Sequence, residues 1–138
     1  MIAPDSLLYE YAVIRFVPRI DREEFINIGL VMMSKRNKWL KSMVILDEAR
    51  ILALYPAADI DCLKNQSRLF ELLDVPAKDL PVEEKYRWLT AVKSACIQVS
   101  PSHPGILSFS PSQDFNTKTP FDTHLDEEFD RLFSSLIL

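Results

Sequence analysis

The sequence predicts an α+β domain: an antiparallel sheet of four or five strands beginning with a three-strand meander, with three or four helices mainly on one face. Three observations carry that expectation. Three stretches rich in β-branched and aromatic residues follow one another before residue 47, with short connections. Beyond that point the apolar residues recur at helical spacing. The chain has 138 residues, 48% hydrophobic and 26% charged, which is ordinary globular composition at single-domain length. Residues 1–138 are therefore read as one domain.

Residues 9–17 read as the first strand, stopping at Pro18, with Ala12, Ile14 and Phe16 on one face. A charged connection, 18–23, follows. Residues 25–34 form the second strand. Strict alternation puts Ile26, Ile28, Leu30 and Met32 on one face and Phe25, Asn27, Gly29, Val31 and Met33 on the other. Gly29 inside a strand costs backbone entropy and packs nothing, which suggests a bulge or the close approach of another group. Residues 35–38 make a turn and 39–46 the third strand, completing an antiparallel meander.

Asp47 can cap a short helix through Ile51 and Leu54 that ends before Pro56. Asp59 or Asp61 opens a second, with Leu63, Gln66, Phe70 and Leu73 along one side. Pro81 suits the first position of a third helix. Glu83 and Glu84 then fall in its first turn, Val82, Tyr86 and Leu89 on its inner side, and Trp88 beside them. Residues 95–99 and 106–109 read as further strands, with Gly105 in a turn between them. Residues 110–121 read as a loop or linker. Thr123 with Asp126 resembles a capping box opening a last helix, whose buried stripe is Leu125, Phe129, Leu132 and Leu136. The expected core is Ala12, Ile14, Phe16, Ile26, Ile28, Leu30, Leu89, Phe129 and Leu132.

Sixteen basic and 20 acidic side chains give a net charge of −4. That balance argues against bulk nucleic-acid binding and against an anionic membrane surface. Lys35, Arg36, Lys38 and Lys41 are the only basic concentration, and they bracket the hairpin turn as a solvated loop tip. The first residues carry no basic leader, and no stretch approaches the ~20 apolar residues of a spanning helix. Cys62 and Cys96 have apolar neighbours, where a free thiol behaves as a small hydrophobe. A reducing cytoplasm is the expected compartment.

Catalytic templates are mostly absent: no glycine-rich phosphate loop, no nucleophile elbow, no histidine pair at helical spacing. Cys62, Cys96, His103 and His124 match no zinc spacing, so neither a metal nor a cofactor is expected. Cys96 with His103 would lack an orienting group and oxyanion donors.

Two constellations remain as candidate binding residues. The first is Arg15 on one strand with Glu24, Asn27 and Gly29 on the next. It reads either as Asn27 bracing the 18–24 loop or as a polar hole offering donors to an anionic or peptidic group. The second is Trp88, Lys93, Ser94 and His103. Trp88 has a plain core reading, and Lys93 complements a helix C-terminus. An imidazole between two prolines has no such ready packing role. Glu24, Asn27, Ser94 and His103 are expected to converge on a pocket floored by Gly29.

Tyr11-Ala12-Val13 with Arg15, Val17-Pro18 and the run from Arg22 through Glu23, Glu24, Phe25, Ile26, Asn27 and Ile28 to Gly29 resemble the opening of the bacterial Domain of Unknown Function 3037 family. Arg87-Trp88-Leu89-Thr90-Ala91, Ser94, Gln98, Pro101, His103 and Gly105 resemble its second signature, and residues 125–136 its closing acidic, leucine-rich helix. Val92 and Lys93 stand where family members usually have proline and arginine, and lysine lacks arginine's planar fork. Residues 106–120 are longer than the family pattern. The resemblance implies a compact bacterial cytoplasmic domain whose relatives are often encoded beside a HipA-like kinase. That association suggests a partner or regulator, and with the lack of catalytic templates and the modest acidity the expectation is a non-enzymatic protein-binding domain. The alternative is a small enzyme or anionic-ligand domain built on Glu24, Asn27, Lys93, Ser94 and His103.

Overall fold

The computed structural model describes residues 6–71, 79–91, 96–108 and 121–138. Its centre is β1, Ser6–Arg19, which pairs antiparallel along both edges. On one side lies β2 (Glu24–Ser34) and beyond it β3 (Trp39–Val44). The other edge of β1 is shared by β4 (Ile97–Val99) and β5 (His103–Ser108). The meander and the five-stranded antiparallel sheet are as the sequence predicts.

Helices cover both faces. On the first lie α1 (Glu48–Leu54), α2 (Ile60–Ser67) with the 3-10 turn Arg68–Phe70, and α3 (Val82–Thr90). Their Ile51, Leu63, Phe70, Tyr86 and Leu89 pack on Ile14, Phe16, Ile28, Val31, Met33 and Ile97 of the sheet. On the second lies α4, Phe121–Leu136. Its Leu125, Phe129, Leu132 and Phe133 pack with Ile137 on Leu7, Tyr9, Val13, Leu30, Met32 and Trp39. Each carboxylate cap works as the sequence suggests: Asp47 accepts from the Arg50 amide at 3.2 Å, and Asp59, the one of the two candidates used, from the Cys62 amide at 3.0 Å. Of the expected core only Ile26 is merely half-buried.

Strict alternation in β2 is overturned by a bulge. Ile14 pairs with Gly29 but Arg15 pairs with Asn27, leaving Ile28 as the extra residue. Side-chain parity flips there. Ile28, Val31 and Met33 share the first core while Leu30 and Met32 enter the second. The first strand also runs past Pro18, because its register with β2 slips between Phe16 and Arg19, where a missing N–H costs little.

The 101–105 segment is a second correction. The turn is confined to residues 100–102, and His103, Pro104 and Gly105 are already strand, paired with Tyr11, Glu10 and Tyr9. Ser100 bridges the break: its N–H donates to the Val13 carbonyl at 2.8 Å and its hydroxyl accepts from the Val13 N–H at 2.9 Å. Gly105 is required because the Tyr9 ring lies where any Cβ would stand. The last helix is under way by Phe121, so Thr123 lies within it rather than capping it. Residues 110–120, Leu73, Ala95 and Phe109 lie outside the described residues.

Candidate functional site

Cross-strand pairing places Arg15 directly beside Asn27, on the face covered by α4. The Arg15 guanidinium lies 4.3 Å from the centre of the Phe25 ring, a cation–π contact. Asn27 donates its amide to the Leu136 carbonyl at 3.1 Å, and Arg50 donates to the Ile137 carbonyl at 3.0 Å. The two together satisfy carbonyls that the end of α4 would otherwise leave open. Arg15 Nε and Asn27 Oδ1 are buried without a partner among the described residues, and they are a donor and an acceptor on paired positions. This side of the sheet is a clamp on a helix end.

Gly29, in the bulge, turns to the opposite face: a Cβ there would stand 3.1 Å from Ile14 Cδ1 and 2.5 Å from the Met43 carbonyl oxygen. Glu24 opens β2 and pairs with Arg22 at 2.8 Å in an exposed ion pair. His103 is exposed, its ring 5.2 Å from that of Tyr11, and Tyr11 lies four residues up β1 from Arg15. Four residues of strand span about 13 Å, and β1 itself intervenes between β5 and β2. The sheet thus joins Arg15 to Asn27 and leaves His103 apart from them, while Glu24, three positions before Asn27 in β2, is engaged by Arg22. Trp88 packs half-buried against the first core. Lys93 and Ser94 lie outside the described residues.

One thiol differs from expectation: Cys62 is exposed, whereas Cys96 packs half-buried against the first core. The Gln66 amide donates to the Cys62 sulfur at 3.1 Å and accepts from Cys96 at 3.2 Å, so one side chain links both cysteines. Among the described residues no group of three or more His, Cys, Asp or Glu could hold a metal ion. No helix among them is long and apolar enough to cross a membrane.

A groove of about 1040 Å³ opens on the first face, where the helical layer stops short of β5. Leu8, Glu10, Met33 and Ile106 belong to its sheet side. Glu83, Tyr86, Arg87 and Thr90 of α3 form one wall, and Lys35, Arg36 and Asn37 of the β2–β3 turn another. Tyr86 and Ser102 share a hydrogen bond of 2.8 Å at its edge. Burial pushes the Tyr86 hydroxyl up to about 12, so it stays a neutral donor and acceptor at any ordinary pH. Leu8 is 43% and Ile106 67% exposed, unusual for aliphatic residues on paired strands. Arg87 is tied to Glu84 at 2.8 Å, whereas Lys35 and Arg36 make no ion pair among the described residues.

Sequence reasoning passed over this groove. Leu8 lay ahead of the first predicted strand and Gly105 in a predicted turn, so nothing placed Leu8, Ile106 and the Lys35–Arg36 tip together. The available signal was the apolar Leu7-Leu8 pair preceding Tyr9, which lengthens β1 and carries β5 alongside it.

The chain matches the family model described as "Protein of unknown function (DUF3037)" over residues 11–118. It belongs to that family. No curated protein and no solved structure matches it.

Proposed function

We propose that this chain is a non-enzymatic protein-binding domain, bacterial and cytoplasmic, whose partner seats in the groove between α3 and the β1–β5 edge. The observation that carries this reading is convergence: Arg87 and Thr90 of α3 meet Ser102, Pro104 and Gly105 before and within β5 around one groove beside the exposed Leu8 and Ile106. Arg87, Thr90 and Gly105 belong to the second family signature. A solvent-facing concavity with aliphatic residues and a charged rim is the usual look of an interaction surface. Family resemblance nominates a HipA-like kinase encoded nearby as the partner, with this domain as its regulator. Of the alternative pocket, His103 stands apart from Asn27, Glu24 is paired with Arg22, and Lys93 and Ser94 lie outside the described residues.

The test is co-expression with that kinase. A stoichiometric complex should survive gel filtration, disappear with Ile106→Asp, and persist with Cys62→Ser, which alters a distant helix. Autophosphorylation of the kinase should differ between the free and complexed states. A complex indifferent to Ile106→Asp would refute the groove, and no complex at all would refute the kinase.

A further inference from the structure

We infer that the partner binds as an added strand: an extended segment bearing aliphatic and acidic side chains pairs along the outer edge of β5, with alternate side chains turned into the groove. The proposal rests on the groove reading above and specifies how the groove is filled.

Hydrogen-bond parity defines the edge. The Ser100 N–H donates to the Val13 carbonyl and the Val17 N–H to the Cys96 carbonyl, so the odd-numbered residues of β1 turn their backbone groups toward β4 and β5. With the β1–β5 register, Leu107, Gly105 and His103 bond inward to Leu7, Tyr9 and Tyr11. Pro104, Ile106 and Ser108 therefore present their backbone groups outward, and among the described residues no strand pairs with them. Pro104 has no N–H to offer, which blunts one end of the edge. Ile106 offers both a donor and an acceptor.

Edges of this kind are normally protected by charge, lysine above all. β5 reads His103-Pro104-Gly105-Ile106-Leu107-Ser108, with no lysine, arginine or carboxylate. An open, uncharged edge beside an apolar groove is the arrangement that strand-adding domains use: main-chain bonds supply affinity and alternate side chains supply selectivity. The side chains of Ile106 and of its β1 partner Leu8 lie on the groove face. An added strand would set an aliphatic side chain next to them. Charge narrows the occupant further. The groove carries Lys35, Arg36 and Arg87 with Glu10 and Glu83, but Arg87 is already held by Glu84, so the cations left without an ion pair among the described residues, Lys35 and Arg36, stand together at the β2–β3 wall. An acidic side chain of the segment would pair at that wall.

The probe is a phage-displayed library of random twelve-residue peptides panned on the whole chain. Enriched sequences should combine aliphatic and acidic residues and bind more weakly as salt rises. Ile106→Pro removes an outward N–H along with the isoleucine side chain, two positions from the already accommodated Pro104, so the β1–β5 ladder should persist. Ile106→Ala, which removes the side chain and keeps the N–H, should bind more tightly than Ile106→Pro. Ile106→Pro should weaken an enriched peptide at least tenfold, with Ile106→Val within twofold of wild type. N-methylating every second peptide amide should abolish binding in one frame and spare it in the other, which tests the mode even if Ile106→Pro fails to fold. Binding that survives both perturbations but is lost in Leu8→Asp would overturn strand addition and leave the groove standing. No enrichment over an unrelated protein, or wild-type chain sedimenting as a dimer that Ile106→Pro dissolves, would overturn the proposal as well.

Discussion

Gly29 shows how a single position answers to its surroundings. Its presence in a strand pointed to a bulge or a close approach, and the structure has both. The bulge makes Ile28 and Gly29 share one partner, and the third strand closes over the glycine so tightly that a Cβ would lie 2.5 Å from the Met43 carbonyl oxygen and 2.9 Å from Val44 Cγ2. The obstacle is backbone held in a ladder, so it cannot swing aside. Gly29→Ala should cost roughly 1–3 kcal/mol, the range for overpacking, read from the denaturant midpoint. Glu128 is the other residue whose environment defines it. It is 7% exposed, accepts the Tyr9 hydroxyl at 2.6 Å, and is paired with Arg131 in the next turn. The Arg131 guanidinium first, and the Tyr9 hydroxyl after it, hold its carboxyl below the ordinary 4.5 despite burial. A lowered folded-state pKa contributes stability that is present above the unfolded value and lost as pH falls through the folded one. The melting temperature of the wild type should therefore drop more steeply than that of Glu128→Gln as pH falls below 4.5. Parallel curves would show that the carboxylate contributes nothing.

Among elements, those with strong local signals were legible and those defined by their neighbours were not. Asp47 and Asp59 announced two helices because a short acidic side chain before an apolar period is a local, sufficient cause. The stretch 101–105, between the two segments that do read as strands, carries no such signal: proline, serine, histidine and glycine spell a turn. Strand geometry is imposed there by β1, through Ser100 bonded to both Val13 backbone groups and through the Tyr9 ring above Gly105. Ser100→Ala leaves the buried Val13 N–H without an acceptor and should cost about 1–3 kcal/mol, with faster amide exchange confined to the β4–β5 edge. Asn27 gives a contrasting magnitude. Removing it deletes the bond to the Leu136 carbonyl, yet it also deletes a buried carbonyl oxygen that has no partner. Asn27→Ala should thus cost only about 1 kcal/mol and show as fraying of the last turn of α4, since the two effects oppose each other. The tie between these candidate residues and α4 escaped sequence reasoning for the same cause as the strand character of residues 103–105. Arg15 and Asn27 were rightly suspected of sharing a sheet face, but their tie to the end of α4 is a contact across 109 residues.

At the scale of the molecule, one sheet separates two cores that share strands but no helices. Alternation along β1 sends Ile14 and Phe16 to one side and Leu7, Tyr9 and Val13 to the other, and the bulge at Ile28 lets β2 serve both sides in the same way. Across the sheet the helix layers are about 20 Å apart, since each packs roughly 10 Å from the sheet between them, and they touch where Arg50 of α1 bonds the Ile137 carbonyl beyond α4. Substitutions that leave that bond in place should be independent, because additivity holds for sites that are distant and share no partner. Ile51 and Leu132 provide the test: Ile51 is fully buried in α1 on the first face, and Leu132 is buried in α4 on the second. Ile51→Val should cost about 0.5–1.5 kcal/mol. Leu132→Met, close to volume-conserving, should cost less than about 1.5 kcal/mol. In the double variant the two losses should sum to within about 0.5 kcal/mol. A coupling above about 1 kcal/mol would mean that the two faces are linked, through the sheet or through the Arg50–Ile137 bond, and in that event a partner on the first face would shift the stability of α4 on the second.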